Sequence, residues 1–165
     1  MSRGTAWGGG EEAAMSEVIC TACELLAGGR SVPGGLIWRG GGLVLHALDG
    51  PCPIPGWLVL TAERHCRALY DLDAEATAAL GQVAQEVMLA QRAALGAEHV
   101  YAFAIGDQLQ HFHLHLVPRY AATPSRLRGR GAFDATQADA LPPGEVAAAA
   151  RLVAEALGPF DLRSR

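Results

Sequence analysis

The sequence predicts an α+β fold in which an antiparallel sheet of about five strands carries a short N-terminal helix, one long helix and a C-terminal extension. Three observations predict it. Residues His111-Phe112-His113-Leu114-His115-Leu116-Val117 alternate polar and apolar with the two-residue period of a strand. Ala76, Leu80, Val83, Val87 and Leu95 form one helical stripe between a candidate N-cap, Asp73, and a terminating Gly96. The remaining apolar runs are short and bounded by glycine and proline, which suits strands joined by turns.

In chain order, residues 1 to 17, with Gly8-Gly9-Gly10 and Glu11-Glu12, have little to bury and are expected to form a flexible tail. From Val18 to Ala27 the pattern suits a short helix stopped by Gly28-Gly29. Leu36-Ile37-Trp38 and Leu43-Val44-Leu45-His46 flank Arg39 and three glycines and read as a hairpin. The run Asp49 to Gly56 is turn chemistry, because its prolines lack ladder donors. Trp57 to Leu60 follows as a third strand. After the long helix, Val100 to Ile105 and Phe112 to Val117 complete the sheet, ending at Pro118. Residues 123 to 143 read as loop, and Glu145 to Leu157 as a helix with Val146, Ala149, Val153 and Leu157 inward. The organisation is a tail (1–17), one domain (18–122) and a C-terminal extension (123–165).

Composition narrows the function. All thirteen basic residues are Arg, so lysine Schiff bases and the lysine of a phosphate-binding loop are excluded, and phosphate contacts fall to Arg, His or backbone amides. The formal net charge of -4 argues against a nucleic-acid partner, which draws on clustered cations. Arg126, Arg128 and Arg130 are the only basic cluster and read as a solvated loop. No apolar run reads as a secretory signal or a membrane span, so a cytoplasmic location and no membrane partner are expected. A reducing compartment disfavours structural disulfides among Cys20, Cys23, Cys52 and Cys66, and leaves Cys20 and Cys23 open to metal.

Three imidazoles on one rigid strand are a poor core and a good active site. They cannot all bind one metal ion, because residues i and i+4 of a straight strand stand roughly 13 Å apart at ~3.3 Å per residue. At most two neighbours could share an ion. His46 and His99 read as ordinary structural or surface residues, and Cys52 and Cys66 as small packing residues.

The triad His111, His113, His115 followed by Pro118-Arg119 resembles the signature of the histidine triad (HIT) proteins. The likeness extends to Cys20-Thr21-Ala22-Cys23 with Glu24-Leu25-Leu26-Ala27-Gly28, which is similar to the opening of zinc-containing members. It extends also to Pro55-Gly56-Trp57-Leu58-Val59-Leu60 leading into Glu63-Arg64-His65. Together these cover roughly residues 18 to 122.

The resemblance implies a nucleotide-binding enzyme, acting at the α-phosphorus through a nucleotidyl-histidine intermediate that water, phosphate or another acceptor resolves. His113 would be the nucleophile, with a backbone carbonyl fixing its tautomer. His115 would stabilise charge or protonate the leaving group. Phosphate contacts would come from Gln108, His111, His113 and His115. A structural Zn2+ would be held by Cys20, Cys23, His65 and His111. Many relatives are homodimers, and here Met88, Leu89, Ala93 and Ala94 lie beyond the main stripe of the long helix; the C-terminal helix is the alternative cover for them. The expected activity is hydrolysis of nucleotidyl phosphoramidates or dinucleoside polyphosphates; the alternatives are nucleotidyl transfer to an acceptor and nucleotide binding with little turnover. The segment Ala104 to Gln110 departs from the family's Asn-x-Gly and Gly-Gln-Ser/Thr-Val elements and places Asp107 where it would repel phosphate.

Overall fold

A computed structural model describes residues 20–159 and 162. The expected tail and the first residues of the N-terminal helix lie outside them. The chain runs α1 (Thr21–Leu26), β1 (Leu36–Gly40), β2 (Leu43–Ala47), β3 (Leu58–Ala62), α2 (Ala74–Leu95), β4 (His99–Phe103), β5 (His113–Arg119) and α3 (Pro143–Leu157). The five strands form one sheet in the order β1-β2-β3-β5-β4, with every neighbouring pair antiparallel. The α+β class and the five-strand sheet are as the sequence predicts.

Local chemistry explains the elements. Gly41 and Gly42 form the two-residue β1–β2 turn with φ of 55° and 69°, the left-handed pair that a tight hairpin requires. Asp73 caps α2 by accepting from the Ala76 amide at 2.9 Å, and Gly96 ends it at φ 69°. Pro143 opens α3 at the position where a missing amide hydrogen does least harm.

Two expectations are corrected. Residues 123–143 are not featureless loop: three 3-10 turns, Ser125–Leu127, Gly129–Asp134 and Gln137–Asp139, carry the chain back over the sheet, pinned by a capping box between Thr136 and Asp139. Arg126, Arg128 and Arg130 are exposed, as a solvated cluster should be, and each also has a surface partner: Arg128 the carbonyls of Thr123 and Ala121, Arg126 Asp139, and Arg130 Asp134. Strand β5 starts at His113 and passes through Pro118 to Arg119. A proline fits there because β3 pairs with β5 only as far as Leu116, so the last residues of β5 have one partner strand.

The registers define two faces. Leu45, Leu60 and Leu114 align across β2, β3 and β5, as do Ala47, Leu58 and Leu116. This apolar face packs with α2 and α3 through Ala76, Val83, Val87, Val146, Ala150 and Val153, all buried. The alternate residues align on the opposite face: His46, Val59, His115 and Phe103 in one row, Val44, Thr61 and His113 in the next. β2 and β3 are buried along their whole length, so both faces are covered. No helix among the described residues is long and apolar enough to cross a membrane.

Candidate active site and metal centre

The histidine face is built on β5. His113 and His115 lie on the strand with their rings 4.8 Å apart and nearly perpendicular. His111 does not belong to the strand; it sits in a bend two residues earlier and is fully buried. The expectation of three imidazoles in one row is corrected to two on the strand and one turned aside. The Ala62 amide bonds the Phe112 carbonyl, and the Phe112 amide bonds the Cys66 carbonyl, which fixes this bend against the end of β3.

Nδ1–H of His113 donates to the main-chain carbonyl of His111 at 2.7 Å, which leaves Nε2 unprotonated and free. Nδ1 of His115 accepts from the indole Nε1–H of Trp57 at 3.1 Å. Burial, reinforced by His113 and His46 nearby, pushes the His115 imidazole down to about 3. Trp57 and His115 are packed edge to face, and Phe133 from the second 3-10 turn touches both with ring centroids 5.0 Å away.

His46 is a site residue that the sequence reading passed over. It donates from Nδ1 to the Ala47 carbonyl at 2.7 Å and accepts at Nε2 from the Thr61 hydroxyl at 2.9 Å. Thr61 is the register partner of His113, so this pair forms the floor beside the triad. Burial lowers the pKa of His46 and keeps it neutral. The sequence reads His46 as an ordinary structural residue; only the cross-strand register shows that it shares the triad's face. Gln108 lies on the exposed Ala104–Gln110 loop, as does Asp107, and no hydrogen bond joins Gln108 to the triad. The neighbouring Gln110 is tied to Arg67.

The second cluster brings the two ends of the domain together. Cys20 caps the N-terminus of α1 and Cys23 lies one turn on, so both thiols face the bend before β5. Cys20 Sγ is 3.4 Å and Cys23 Sγ 3.5 Å from His111 Nδ1, and Cys23 Sγ is 3.3 Å from His65 Nδ1. The four ligand atoms lie within 4.8 Å of one another. Sulfur and nitrogen on the edges of a tetrahedral zinc site stand about 3.5 Å apart, given zinc bonds of about 2.3 and 2.0 Å. The donor set and its spacing therefore fit Zn2+. His111 Nε2–H donates to the Ala62 carbonyl at 2.8 Å, which presents Nδ1 as the free lone pair in the manner of metal-bound imidazoles. Both ring nitrogens of His111 are thus directed, Nε2 at the Ala62 carbonyl and Nδ1 at the two thiols.

No protein-family model matches the chain, and no curated protein sequence does. Solved structures do share its fold. A zinc-bound histidine triad family protein from Mycobacterium smegmatis is 21% identical, with 84% of this chain and 93% of that one covered at a TM-score of 0.65. A HIT-like protein from Bartonella henselae, described as involved in cell-cycle regulation, is 16% identical over 84% and 96% of the two chains, with a TM-score of 0.64. A hypothetical histidine triad nucleotide-binding protein from Sulfolobus tokodaii is 15% identical over 84% and 91%, with a TM-score of 0.66. The fold is that of the histidine triad proteins, in agreement with the motif.

Proposed function

We propose that the protein is a histidine triad enzyme that cleaves nucleotides at the α-phosphate through a nucleotidyl-histidine intermediate on His113. The observation that carries this reading is the bond from His113 Nδ1–H to the His111 carbonyl, which leaves Nε2 as a free nucleophile on a rigid strand. Neutral imidazole both attacks and leaves well, so it splits one displacement into two easier ones. His115 faces the same space and supplies a hydrogen bond to charge that develops on oxygen. Water resolves the intermediate in a hydrolase; an acceptor phosphate does so in a transferase.

Zn2+ is proposed at Cys20, Cys23, His65 and His111. All four positions are filled by protein ligands, as in structural rather than catalytic zinc sites, and the ion would tie α1 to the bend that carries the His111 carbonyl. Burial and Cys20 together raise the Cys23 thiol, a cost that a cation between the sulfurs removes.

A homodimer is proposed through α2 and β4. β4 is a sheet edge, and beside it α2 leaves an open groove of about 460 Å³ lined by Met88, Leu89 and Arg92 with Glu98, His99 and Val100. The C-terminal helix packs against α2 yet leaves Leu89 51% exposed. Two-fold pairing buries the same patch from both copies.

The test is to incubate the purified protein with adenosine phosphoramidate, a dinucleoside polyphosphate and a nucleoside diphosphate-sugar and to follow release of nucleoside monophosphate. Release with water as acceptor supports the hydrolase. Release that requires added phosphate or sugar phosphate supports the transferase. Tight nucleotide binding with no release of any kind overturns the enzyme reading in favour of a binding module.

A further inference from the structure

Trp57 occupies an unusual place. It immediately precedes β3, is 2% exposed, and spends its only polar side-chain atom on a catalytic-face histidine. Indole Nε1–H is a donor and never an acceptor. Its bond to His115 Nδ1 therefore requires that nitrogen to carry the lone pair, and the neutral ring then holds its proton on Nε2. A doubly protonated ring would set two N–H groups against each other inside a buried contact.

We propose that Trp57 is a positioning residue that holds His115 as a neutral Nε2–H donor, so that the site favours bonds whose leaving group departs as an anion. This rests on the nucleotidyl-transfer reading above. His115 then has a hydrogen bond to give but no proton to lose. The surroundings reinforce this. Phe133 packs against Trp57 and His115 at 5.0 Å and against Phe103, the cross-strand neighbour of His115, at 5.3 Å. The titratable groups facing His115 are His113 on its own strand and His46 on β2. Phe103 on β4 and Phe133 in the second 3-10 turn are apolar, and Asp134 beside Phe133 is paired with Arg130. No carboxylate among these neighbours favours an imidazolium, in keeping with a pKa pushed down to about 3.

The chemistry balances without a proton donor. The Nε2 lone pair of His113 forms the bond to the α-phosphorus, the phosphorus–oxygen bond to the leaving group breaks, and its electron pair stays on that oxygen. His115 Nε2–H hydrogen-bonds the oxygen and keeps its proton. A phosphate chain or a carboxylate leaves in this way. An amine of a phosphoramidate does not, because its nitrogen must gain a proton before the phosphorus–nitrogen bond breaks. The departure of the amine would need an imidazolium at His115, and Trp57 disfavours one. The class selected is the phosphoric or carboxylic anhydride of a nucleoside monophosphate.

The test is ring-nitrogen NMR of the full chain labelled with 15N-histidine between pH 5 and 8, with His115→Gln to assign the signals. His115 is expected as the Nε2–H tautomer with no titration down to pH 5. A proton on Nδ1, or titration above pH 5, in the wild-type protein overturns the proposal, and this readout needs no turnover. In Trp57→Phe the donor is gone and His115 is expected to begin titrating within the window. With diadenosine tetraphosphate and adenosine phosphoramidate as probes, wild-type kcat/KM is expected to favour the anhydride at least tenfold, a ratio that shrinks in Trp57→Phe. Faster turnover of the phosphoramidate by the wild type overturns the selection, whereas turnover of neither counts against the enzyme reading and leaves the tautomer result to stand on the spectrum.

Discussion

The His111 carbonyl accepts from His113 at 2.7 Å while the His111 ring lies 3.4 Å from Cys20 Sγ, so one residue joins the proposed metal centre to the proposed nucleophile. The main chain of His111 sets the tautomer of His113, and the ring of His111 is held by the cysteines and the Ala62 carbonyl. Disorder at the metal centre reaches His113 through a single residue's backbone.

Metal analysis of protein purified without chelators is expected to give near-stoichiometric zinc. Cys23→Ala removes the thiol that approaches both His65 and His111, and should lower both the zinc content and the melting temperature, the latter by on the order of 10 °C. A metal-free protein with unchanged stability counts against the site.

Light scattering at micromolar concentration is expected to give twice the chain mass of 17.3 kDa. Leu89→Arg, at the mouth of the groove beside β4, should shift the protein to monomer without unfolding it, because the side chain is already half exposed. A wild type that stays monomeric as concentration rises rules out pairing through this face.

Stability should fall as pH drops below 7, and the sign follows from the histidines. His115, His46 and His111 all have pKa values lowered in the folded chain. The unfolded chain takes up protons near pH 6.5 that the folded one refuses, so unfolding is favoured as pH falls through 6.5 toward the folded value, about 3 for His115. The stability is fully present above 6.5. Urea midpoints between pH 7 and 5.5 should decline in the wild type and decline less in His115→Gln, whose amide oxygen still accepts from Trp57. Equal slopes contradict the burial of a neutral His115.

Much of this was legible in the sequence. The strand period of residues 111–117, the Asp73 cap, the Gly96 stop and the residue types at Cys20, Cys23 and His65 are local signals, and the structure brings the last three together with His111. The turning aside of His111 was not legible, because it depends on the Ala62 and Cys66 carbonyl and amide contacts from another segment. Neither was the role of His46 or Trp57. Each meets the triad only through the register of β2, β3 and β5, and no short motif states that His46 lies opposite Val59 and Val59 opposite His115. Phe133 comes from a segment with no apolar period at all, held by arginine and capping contacts that sequence spacing does not reveal.

His115→Ala is expected to lower turnover by about 10²-fold, because it removes one hydrogen bond to developing charge and leaves the nucleophile in place. His113→Ala is expected to abolish turnover with the fold and zinc content intact.

The most direct measurement of the central claim is an acid-free quench of the reaction with nucleotide labelled at the α-phosphate, followed by separation of protein from free label. Wild type should retain label on a histidine through an acid-labile bond, and His113→Ala should retain none. Equal turnover by the two proteins, or label that persists on His113→Ala, would contradict attack by His113.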